Sequence, residues 1–350
     1  MNLPETLQAI QSFDDPALEV SVRARLNSLT KPVGSLGCLE ELALWYCLAR
    51  GERLPAAPQK RLYVFCADHG VAQEDVSAFP AEVTPQMVLN FASGGAAVNV
   101  LSRQAGIEAV VVDVGVNADF APSLEILDRK IARGTANLAA GPAMTIDQAE
   151  QALQVGIDCA EQAAASGATL LAGGEMGIAN TTSAAAVGAA LLGCRPESIV
   201  GSGTGVDAPG VARKAAVVSR ALARLAPGAA PLEVLAQVGG FEIGALSGLY
   251  LGAAARRIPS VVDGFIATAA ALLAVRLAPA VRPYLAWGHR SAEQGHRLML
   301  DDLRARPLLD LDMRLGEGSG AAVAMTLVDR AHAVYTEMAT FDSAGVSGSD

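Results

Sequence analysis

The sequence predicts an α/β fold in which helices cover both faces of a parallel sheet. Between residues 61 and 290, short apolar runs alternate with Ala- and Leu-rich stretches of helical spacing. The runs end in glycine-rich turns, and the 350 residues include 35 glycines but only 4% aromatic side chains. Continuous apolar strands that alternate with helices are typical of a parallel sheet buried on both faces. With 51% hydrophobic residues, the chain can bury a sizeable core.

Six strands are expected within this region. In chain order they are Arg61–Ala67, Ala109–Val114, Ala168–Ala172, Ser198–Val200, Pro259–Val262 and Tyr284–Trp287. The stretch 117–145, which contains Gly134, Gly141 and Pro142, has weak periodicity and is interpreted as an excursion from the sheet. Loops of that length often carry function.

Both ends of the chain have helical patterns. From 1 to about 60, Leu and Ala recur at spacings of three and four, and the Pro- and Gly-containing segment Lys31–Gly37 separates two helices. Residues 291–342 are again helical around the glycines of Gly316–Gly320. Because neither end has a sheet to cover, we expect 1–60 and 291–350 to form a small helical domain beside a large α/β domain, 61–290.

Composition excludes several classes of function. A net charge of −10 has the wrong sign for binding nucleic acid or anionic lipid. The most apolar stretches, 243–255 and 264–275, are shorter than the ~20 residues that span a membrane. The N-terminus has no export signal, so a cytoplasmic location is predicted. Five cysteines without a Cys-x-x-Cys pair are interpreted as small apolar core residues.

Two glycine-rich loops are candidates for binding an anion. The first, Gly173–Ser183, is expected to leave a strand and enter a helix at Ala184, with Asn180 and the following hydroxyls as caps. The second, Gly201–Asp207, precedes a helix that carries Lys214. Either loop alone could serve packing, and Lys214 could be a solvated helix residue, but two such loops in succession favour phosphate.

Two further loops carry candidate side chains. Glu317, among glycines in Leu311–Gly320, could be a helix cap or a desolvated general base, and spacing alone leaves both open. The segment after Ala67–Val71, with Ser77 and Gln86, could line a pocket for a flat apolar ring, although a surface connection is the simpler interpretation. The histidines lack metal-ligand spacing, so no metal is expected and a structural role is predicted for His69, His289 and His296.

Several motifs together resemble nicotinate-nucleotide:dimethylbenzimidazole phosphoribosyltransferases. The resemblance runs in order from about residue 18 to Val346. Its blocks are Thr30–Gly37, Ala67–Val71, Gly174–Ile178, Asn180–Ser183, His289–Glu293 and Met313–Gly318. The combination of Gly-Glu-Met-Gly-Ile with Arg-Leu-Gly-Glu-Gly is specific for this family.

The resemblance implies a reaction and an assembly. In this family, 5,6-dimethylbenzimidazole displaces nicotinate from nicotinate mononucleotide and gives α-ribazole 5′-phosphate for the lower ligand of cobalamin. It also implies a homodimer with a Rossmann-like large domain and a small domain built from both chain ends. No cofactor is implied.

The resemblance further implies roles for individual residues. Glu317 matches the catalytic base, and Glu175 could stabilise the cationic transition state. Ser77, Gln86 and Leu315 match positions that hold the aromatic base. The remaining implied substrate-binding positions are Met176, Gly177, Asn180, Thr181, Gly203, Lys214 and Ser291. Ala179 and Ser202 depart from the family pattern, in which Gly and often Arg or Pro, respectively, are expected.

Two alternative functions remain at this point. A transferase that uses phosphoribosyl pyrophosphate is suggested by Ser260–Thr268, but those enzymes have two adjacent acids where Asp263 is followed by Gly264. A nucleotide-binding sensor would explain the glycine loops but would leave Glu317 without a role.

Overall fold

The computed structural model describes residues 1–347. Among them, six strands form one sheet in the order β3-β2-β1-β4-β5-β6, and every neighbouring pair is parallel. The strands are β1 Lys60–Ala67, β2 Glu108–Gly115, β3 Ile126–Asp128, β4 Leu170–Met176, β5 Ser260–Val262 and β6 Leu285–Trp287. This is the doubly wound strand order of the Rossmann fold, so the predicted fold class is confirmed.

Fifteen α-helices accompany the sheet within the described part of the chain. They are α1 Leu3–Ala9, α2 Pro16–Ser28, α3 Cys38–Arg50, α4 Val83–Ala92, α5 Ala97–Ala105, α6 Ile146–Ala165, α7 Asn180–Leu192, α8 Pro196–Ile199, α9 Ala208–Leu222, α10 Pro231–Val238, α11 Phe241–Ala255, α12 Phe265–Leu277, α13 His296–Asp302, α14 Ser319–Glu337 and α15 Phe341–Ala344. In residues 1–347, no helix is both long and apolar enough to cross a membrane.

Five of the six expected strands are confirmed, and one is wrong. Ser198–Val200 does not pair with the sheet, because Pro196 starts the short helix α8 there. The sixth strand is instead β3, three residues within the stretch 117–145 that pair with the outer edge of β2. The first glycine loop also begins later than expected, because β4 continues through Gly173 and Glu175 to Met176, and α7 begins at Asn180.

The sheet separates two apolar cores, and the alternation of side chains along β1 shows why. Tyr63 and Phe65 point into the core formed with α6, α11 and α12, whereas Leu62 and Val64 point into the core formed with α3, α5 and α14. Successive strand residues face opposite sides of a sheet, so a continuously apolar strand fills both cores.

Glycines allow α6 and α11 to pack very closely. A Cβ atom on Gly156 of α6 would lie 1.9 Å from the Ala245 carbonyl oxygen of α11. On α11, a Cβ on Gly248 would lie 1.9 Å from the Leu153 carbonyl oxygen of α6. Both contacts are with backbone, so neither glycine tolerates a side chain without separating the helices.

Helices from the two ends of the chain pack together. Arg25 of α2 donates hydrogen bonds to the backbone carbonyls of Tyr335 and Thr336 at the end of α14. Leu29 and Thr340 form an isolated antiparallel bridge nearby. Helix α1 packs instead against α6 and α11, on the opposite face of the sheet. The expected domain boundaries at 60 and 290 therefore remain a proposal.

The five cysteines are free thiols. Cys47, Cys66 and Cys159 are buried, and Cys38 and Cys194 are half-buried. Burial raises the pKa of the Cys47 and Cys159 thiols to about 12, so both are neutral packing groups at neutral pH.

Candidate active site

A cavity of about 630 Å³ opens at the carboxyl ends of β4, β5 and β6. This is the edge at which ligands bind in open parallel sheets. Nine of the predicted site residues line it: Glu175, Met176, Gly177, Asn180, Thr181, Gly203, Ser291, Leu315 and Glu317. Segments that are far apart in the sequence are therefore brought together in one site.

The other three predicted site residues lie outside the lining. Ser77 is half-buried, and its hydroxyl is 3.1 Å from the hydroxyl of Thr204, which lines the cavity. Gln86 is exposed on α4, next to the lining residue Met87. Lys214 is buried behind the residues that line the cavity. The contribution of each to substrate binding remains a prediction.

Glu317 stands on an unusual piece of backbone. Gly316, Glu317 and Gly318 have φ values of +81°, +63° and +85°, so three consecutive residues are left-handed. A left-handed conformation is costly for a residue other than glycine, so the surrounding structure must hold Glu317 in place. Gly174 of β4 contributes to this, because a Cβ there would be 2.2 Å from the Glu317 carbonyl oxygen.

The carboxyl group of Glu317 is poised to exchange a proton near neutral pH. The residue is only 6% exposed, and its Oε2 atom has no hydrogen-bond partner within residues 1–347. Burial, followed by the negative charge of Asp263, raises the pKa of Glu317 to about 7, although a hydrogen bond with the Val98 backbone opposes this. A carboxyl with such a pKa suits a general base, so of the two interpretations left open, cap and base, the second is the better supported.

Glu175 is a second buried carboxyl in the same wall. Its Oε2 atom accepts a hydrogen bond from the Asn180 side-chain amide. Burial, with the charges of Asp263, Glu242 and Glu317, raises its pKa well above the ordinary value, and the bond from Asn180 opposes this shift. These surroundings favour the protonated form of Glu175, whereas a cation bound in the cavity would favour its ionisation.

Lys214 supplies the positive charge of the two predicted anion loops. Its Nζ atom donates to the Thr181 hydroxyl at 2.9 Å and to the Gly201 carbonyl at 3.2 Å. The residue is 1% exposed, so its interpretation as a solvated helix residue is wrong. Burial lowers the pKa of Lys214 to about 8, although Glu293 opposes this, and the ammonium form still predominates at pH 7.

Helix α7 begins beside the Lys214 ammonium and has no side-chain cap. Ala179 precedes it with φ of +75°, and no side chain accepts a hydrogen bond from its first turn. The expectation that Asn180 and its neighbours cap the helix is therefore wrong, because Asn180 already lies in the first turn and bonds to Glu175. The positive end of α7, with Thr181, Gly203 and Lys214, forms the best candidate site for a phosphate.

Apolar side chains form a large part of the cavity lining. They are Phe79, Val83, Met87, Met176, Ile178, Phe265, Ile266 and Leu315. Phe79 and Leu315 are 53% and 56% exposed, so the cavity mouth presents uncovered apolar surface. A flat aromatic ligand suits such a wall.

The buried histidines support the loops around the cavity. His296 accepts from the Ser291 backbone N–H through Nδ1 and contacts the Thr268 hydroxyl through Nε2, and burial lowers its pKa to about 3. His69 lies 2.7 Å from the Glu242 carboxylate, next to Gly177. Within residues 1–347, no group of three or more His, Cys, Asp or Glu side chains is arranged to hold a metal ion.

Comparison with known proteins identifies the family. A family model described as Phosphoribosyltransferase matches residues 10–346. The nicotinate-nucleotide–dimethylbenzimidazole phosphoribosyltransferase of Chloroflexus aggregans is 54% identical over 346 residues, covering 99% of this chain and 98% of the relative. The enzyme of that name from Chlorobaculum tepidum is 53% identical over 335 residues, 95% of each chain. The chain belongs to this phosphoribosyltransferase family.

Solved structures agree with this family assignment. The crystal structure of CobT from Thermus thermophilus matches with a TM-score of 0.93 at 51% identity, covering 95% of this chain and 100% of that one. A structure of the nicotinate-nucleotide–dimethylbenzimidazole phosphoribosyltransferase from the same organism matches with a TM-score of 0.91 at 50% identity, over 96% and 100% of the chains.

Sequence reasoning missed part of this phosphoribosyltransferase site. Asp263, His289, Glu293 and Arg314 all line the cavity, but none was proposed as a site residue. A signal was available for two of them, because Asp263 follows β5 directly and His289 is two residues beyond β6. Arg314 is brought in by a backbone contact, in which its guanidinium donates to the Gly203 carbonyl at 3.4 Å.

Proposed function

We propose that this protein transfers the 5-phosphoribosyl group from nicotinate mononucleotide to 5,6-dimethylbenzimidazole, giving nicotinate and α-ribazole 5′-phosphate for the lower ligand of cobalamin. The observation that carries the proposal is the buried Glu317 carboxyl, with a pKa of about 7, in a cavity that also holds an apolar wall and a cationic phosphate site. The names of the relatives specify the same two substrates.

The substrates match two chemically different parts of the cavity lining. Dimethylbenzimidazole is flat and apolar, with two ring nitrogens as its polar atoms, and it suits the apolar side chains of Phe79, Met87 and Leu315. The 5′-phosphate of the mononucleotide suits the positive end of α7 beside Lys214. Binding both substrates in one cavity would hold the attacking nitrogen near C1′ of the ribose, which is where positioning contributes most to catalysis.

The chemistry requires one base and no general acid. One nitrogen of dimethylbenzimidazole forms a bond to C1′, and the bond from C1′ to the nicotinate ring nitrogen breaks with its electron pair. Because that nitrogen carries the pyridinium charge, it leaves as a neutral ring nitrogen. The other benzimidazole nitrogen becomes acidic as the new bond forms, and Glu317 takes its proton. Attack opposite the leaving group converts the β-nucleotide into an α-riboside.

The positive charge of the bound mononucleotide would favour the ionised forms of Glu175 and Glu317. The pyridinium of the bound mononucleotide is a cation inside a cavity that contains Glu175 and Glu317. A nearby cation favours the ionised form of a carboxyl and so opposes the raised pKa of each group. Ionised Glu175 would then stabilise the oxocarbenium-like charge at C1′ while Glu317 accepts the proton.

The direct experiment is to incubate the protein with both substrates and to measure free nicotinate and α-ribazole 5′-phosphate by chromatography. Equal amounts of both products are expected, and omitting dimethylbenzimidazole should abolish nicotinate release. Saturable binding of the mononucleotide with no release of nicotinate would favour the nucleotide sensor and contradict the proposal.

Two further reactions distinguish the donor. Transfer from nicotinate mononucleotide should continue in excess chelator, because the pyridinium leaves without electrophilic assistance. Phosphoribosyl pyrophosphate should be inert, because its leaving group requires charge neutralisation by metal and both oxygens of Asp263 already accept backbone hydrogen bonds. A requirement for magnesium, or a comparable rate with the pyrophosphate donor, would contradict the assignment.

We also propose that the protein acts as a homodimer in the cytoplasm. The exposed apolar side chains of Phe79 and Leu315 at the cavity mouth support association, because uncovered apolar surface marks interfaces. Light scattering coupled to size-exclusion chromatography should give twice the 35.8 kDa chain mass, and a single-chain mass would contradict the dimer.

A further inference from the structure

Asp263 connects the sheet to the backbone that carries Glu317. It follows the last residue of β5, is 2% exposed and lines the cavity. Its Oδ2 atom accepts from the Gly318 N–H at 3.1 Å, and its Oδ1 atom accepts from the Ala321 N–H at 2.8 Å. Both N–H groups belong to the start of α14, immediately after Glu317.

These two hydrogen bonds replace a cap that α14 lacks. Gly318 occupies the N-cap position and has no side chain, so the first turn of α14 receives no cap from its own segment. A helix of 19 residues leaves unpaired N–H groups at its start, and an acceptor there stabilises it. Asp263 provides the acceptor from a strand 55 residues earlier in the chain.

The hydrogen-bond pattern indicates that Asp263 is a carboxylate. Each carboxyl oxygen accepts a hydrogen bond from a backbone N–H, and such bonds favour the ionised form because a carboxylate is the stronger acceptor. The His289 ring nitrogen Nε2 lies 3.7 Å from Oδ1. Burial raises the pKa of Asp263, whereas His289 and the backbone hydrogen bonds from α14 act to lower it.

We propose that Asp263 is the positioning residue for Glu317, holding the left-handed Gly316–Gly318 turn against the sheet so that the Glu317 carboxyl stays in the cavity. This inference rests on the proposed function, in which Glu317 is the base. The hydrogen bond from the Gly318 N–H to Asp263 acts on the residue next to Glu317, so Asp263 fixes the position of the base through the backbone. It also accounts for the costly left-handed conformation of Glu317, which a free loop would relax.

Asp263 also sets the electrostatic environment of the base. Glu317 shares the cavity with titratable side chains from three neighbouring strands. They are Glu175 at the end of β4, Asp263 directly after β5 and His289, which follows β6 and lies next to Asp263. After burial, the charge of Asp263 is the next cause of the raised pKa of Glu317. Removing that charge lowers the pKa of Glu317, so the ionised base would persist to lower pH.

The test compares Asp263→Asn with Asp113→Asn. Asp113 lies near the end of β2, is also 2% exposed and accepts backbone hydrogen bonds from Gly115 and Val116, but it lies outside the cavity lining. The asparagine at 263 loses the charge and one of the two acceptors for α14. The pH dependence of kcat and of kcat/KM is measured for both variants and for the unmodified protein.

Asp263→Asn is expected to lower kcat by about tenfold or more, to leave KM for each substrate within about twofold, and to move the acid limb of the pH profile to lower pH. For Asp113→Asn, the acid limb is expected to stay at the pH of the unmodified protein, even if the melting temperature falls. A folded Asp263→Asn protein with undiminished kcat, or with its acid limb at the original pH, would overturn the proposal.

A second variant guards against misfolding. Asp263→Ser leaves a small neutral acceptor for the start of α14. Its acid limb is expected to move to lower pH, as for Asp263→Asn. Nicotinate release by the unmodified protein separates the two hypotheses. Without that release, the proposed function is contradicted; with it, an unmoved limb contradicts only the role of Asp263.

Discussion

Two of the helices that begin at the cavity, α7 and α14, have positive ends in opposite surroundings. At α14, the Asp263 carboxylate accepts hydrogen bonds from two N–H groups and offsets the positive end of the helix. At α7, no side chain caps the first turn, and the buried ammonium of Lys214 donates to Thr181 in that turn. Each helix starts close to a left-handed residue other than glycine. Ala179 directly precedes α7, and Glu317 lies two residues before the start of α14.

The difference assigns separate roles to two otherwise similar helix starts. The positive end of α14 already holds the Asp263 carboxylate, so we expect it to anchor Glu317 and not to bind an anion. The positive end of α7 holds no side-chain cap and lies beside a lysine, so we expect it to bind the ligand phosphate. In a chain with a net charge of −10, local backbone dipoles and the nearby cations Lys214 and Arg314 would supply the attraction.

The largest effect is expected from Glu317→Gln at the anchored helix. The amide keeps the size of the side chain but cannot take the proton, so kcat should fall by roughly 10²-fold or more. Because the glutamine fits the same left-handed turn, the melting temperature and substrate KM values should change little. A folded Glu317→Gln protein with undiminished kcat would exclude Glu317 as the base.

At the open helix, Lys214→Ala should act on one substrate only. Losing a charged hydrogen bond to phosphate should raise KM for nicotinate mononucleotide by about tenfold to hundredfold. KM for dimethylbenzimidazole should change far less, because that substrate carries no phosphate.

The matched control is Lys130→Ala, which removes a lysine that pairs with Asp113 at 2.7 Å, outside the cavity lining. Its KM values should remain near those of the unmodified protein. Equal increases in both KM values for Lys214→Ala would indicate that Lys214 is structural.

The pH dependence of kcat/KM for dimethylbenzimidazole, measured with nicotinate mononucleotide well below its KM so that the unliganded protein is reported, should rise through a midpoint near 7. The pKa of Glu317 in the unliganded protein is about 7, and we expect the ionised form to be the active one. At pH 6 about a tenth of the group is ionised, so the rate constant should be about tenfold below its plateau. A flat profile between pH 5 and pH 8 would contradict the raised pKa.

The smallest effect concerns the left-handed residue before α7. Ala179→Gly removes the steric cost of φ +75° and should raise the free energy of unfolding by about 0.5–1 kcal/mol. The control Ala189→Gly, inside α7, should lower it by a similar amount. Chemical denaturation measures both, and equal destabilisation by the two substitutions would mean that Ala179 is not strained.

The fold was predictable where the apolar pattern was long. β1 and β2 each have eight residues between clear turns, and their positions were predicted to within a residue or two. Three residues give no measurable periodicity, so a short apolar run alone does not decide the structure: β5 and β6 were predicted correctly, Ser198–Val200 was predicted wrongly and β3 was missed. At Ser198–Val200, Pro196 directs the chain into a helix, and for β3 only pairing with β2 defines the strand.

The site was predictable as a set of loops but not as a set of contacts. Glycine-rich loops pointed to the segments of Glu175, Gly203 and Glu317, and all three residues line the cavity, although only the Glu175 segment belongs to the end of a strand. The capping of α14 by Asp263 could not be anticipated, because it joins residues 55 apart in the chain and depends on how the helix meets the sheet. The burial of Lys214 did have a signal in the sequence, because its neighbours on the same helix face, Val211, Val217 and Val218, are apolar.

The contact between α2 and α14 also has a consequence for biosynthesis. Arg25 and its carbonyl partner Tyr335 are separated by 310 residues, so α2 emerges from the ribosome long before its docking partner exists. At about 5–20 residues per second, that interval is roughly 15–60 s. Throughout it, Arg25 lacks its carbonyl partners, and the α14 residues that share an apolar core with Val22 and Leu26 have not yet been made. The nascent chain therefore spends most of its synthesis with this apolar core incomplete.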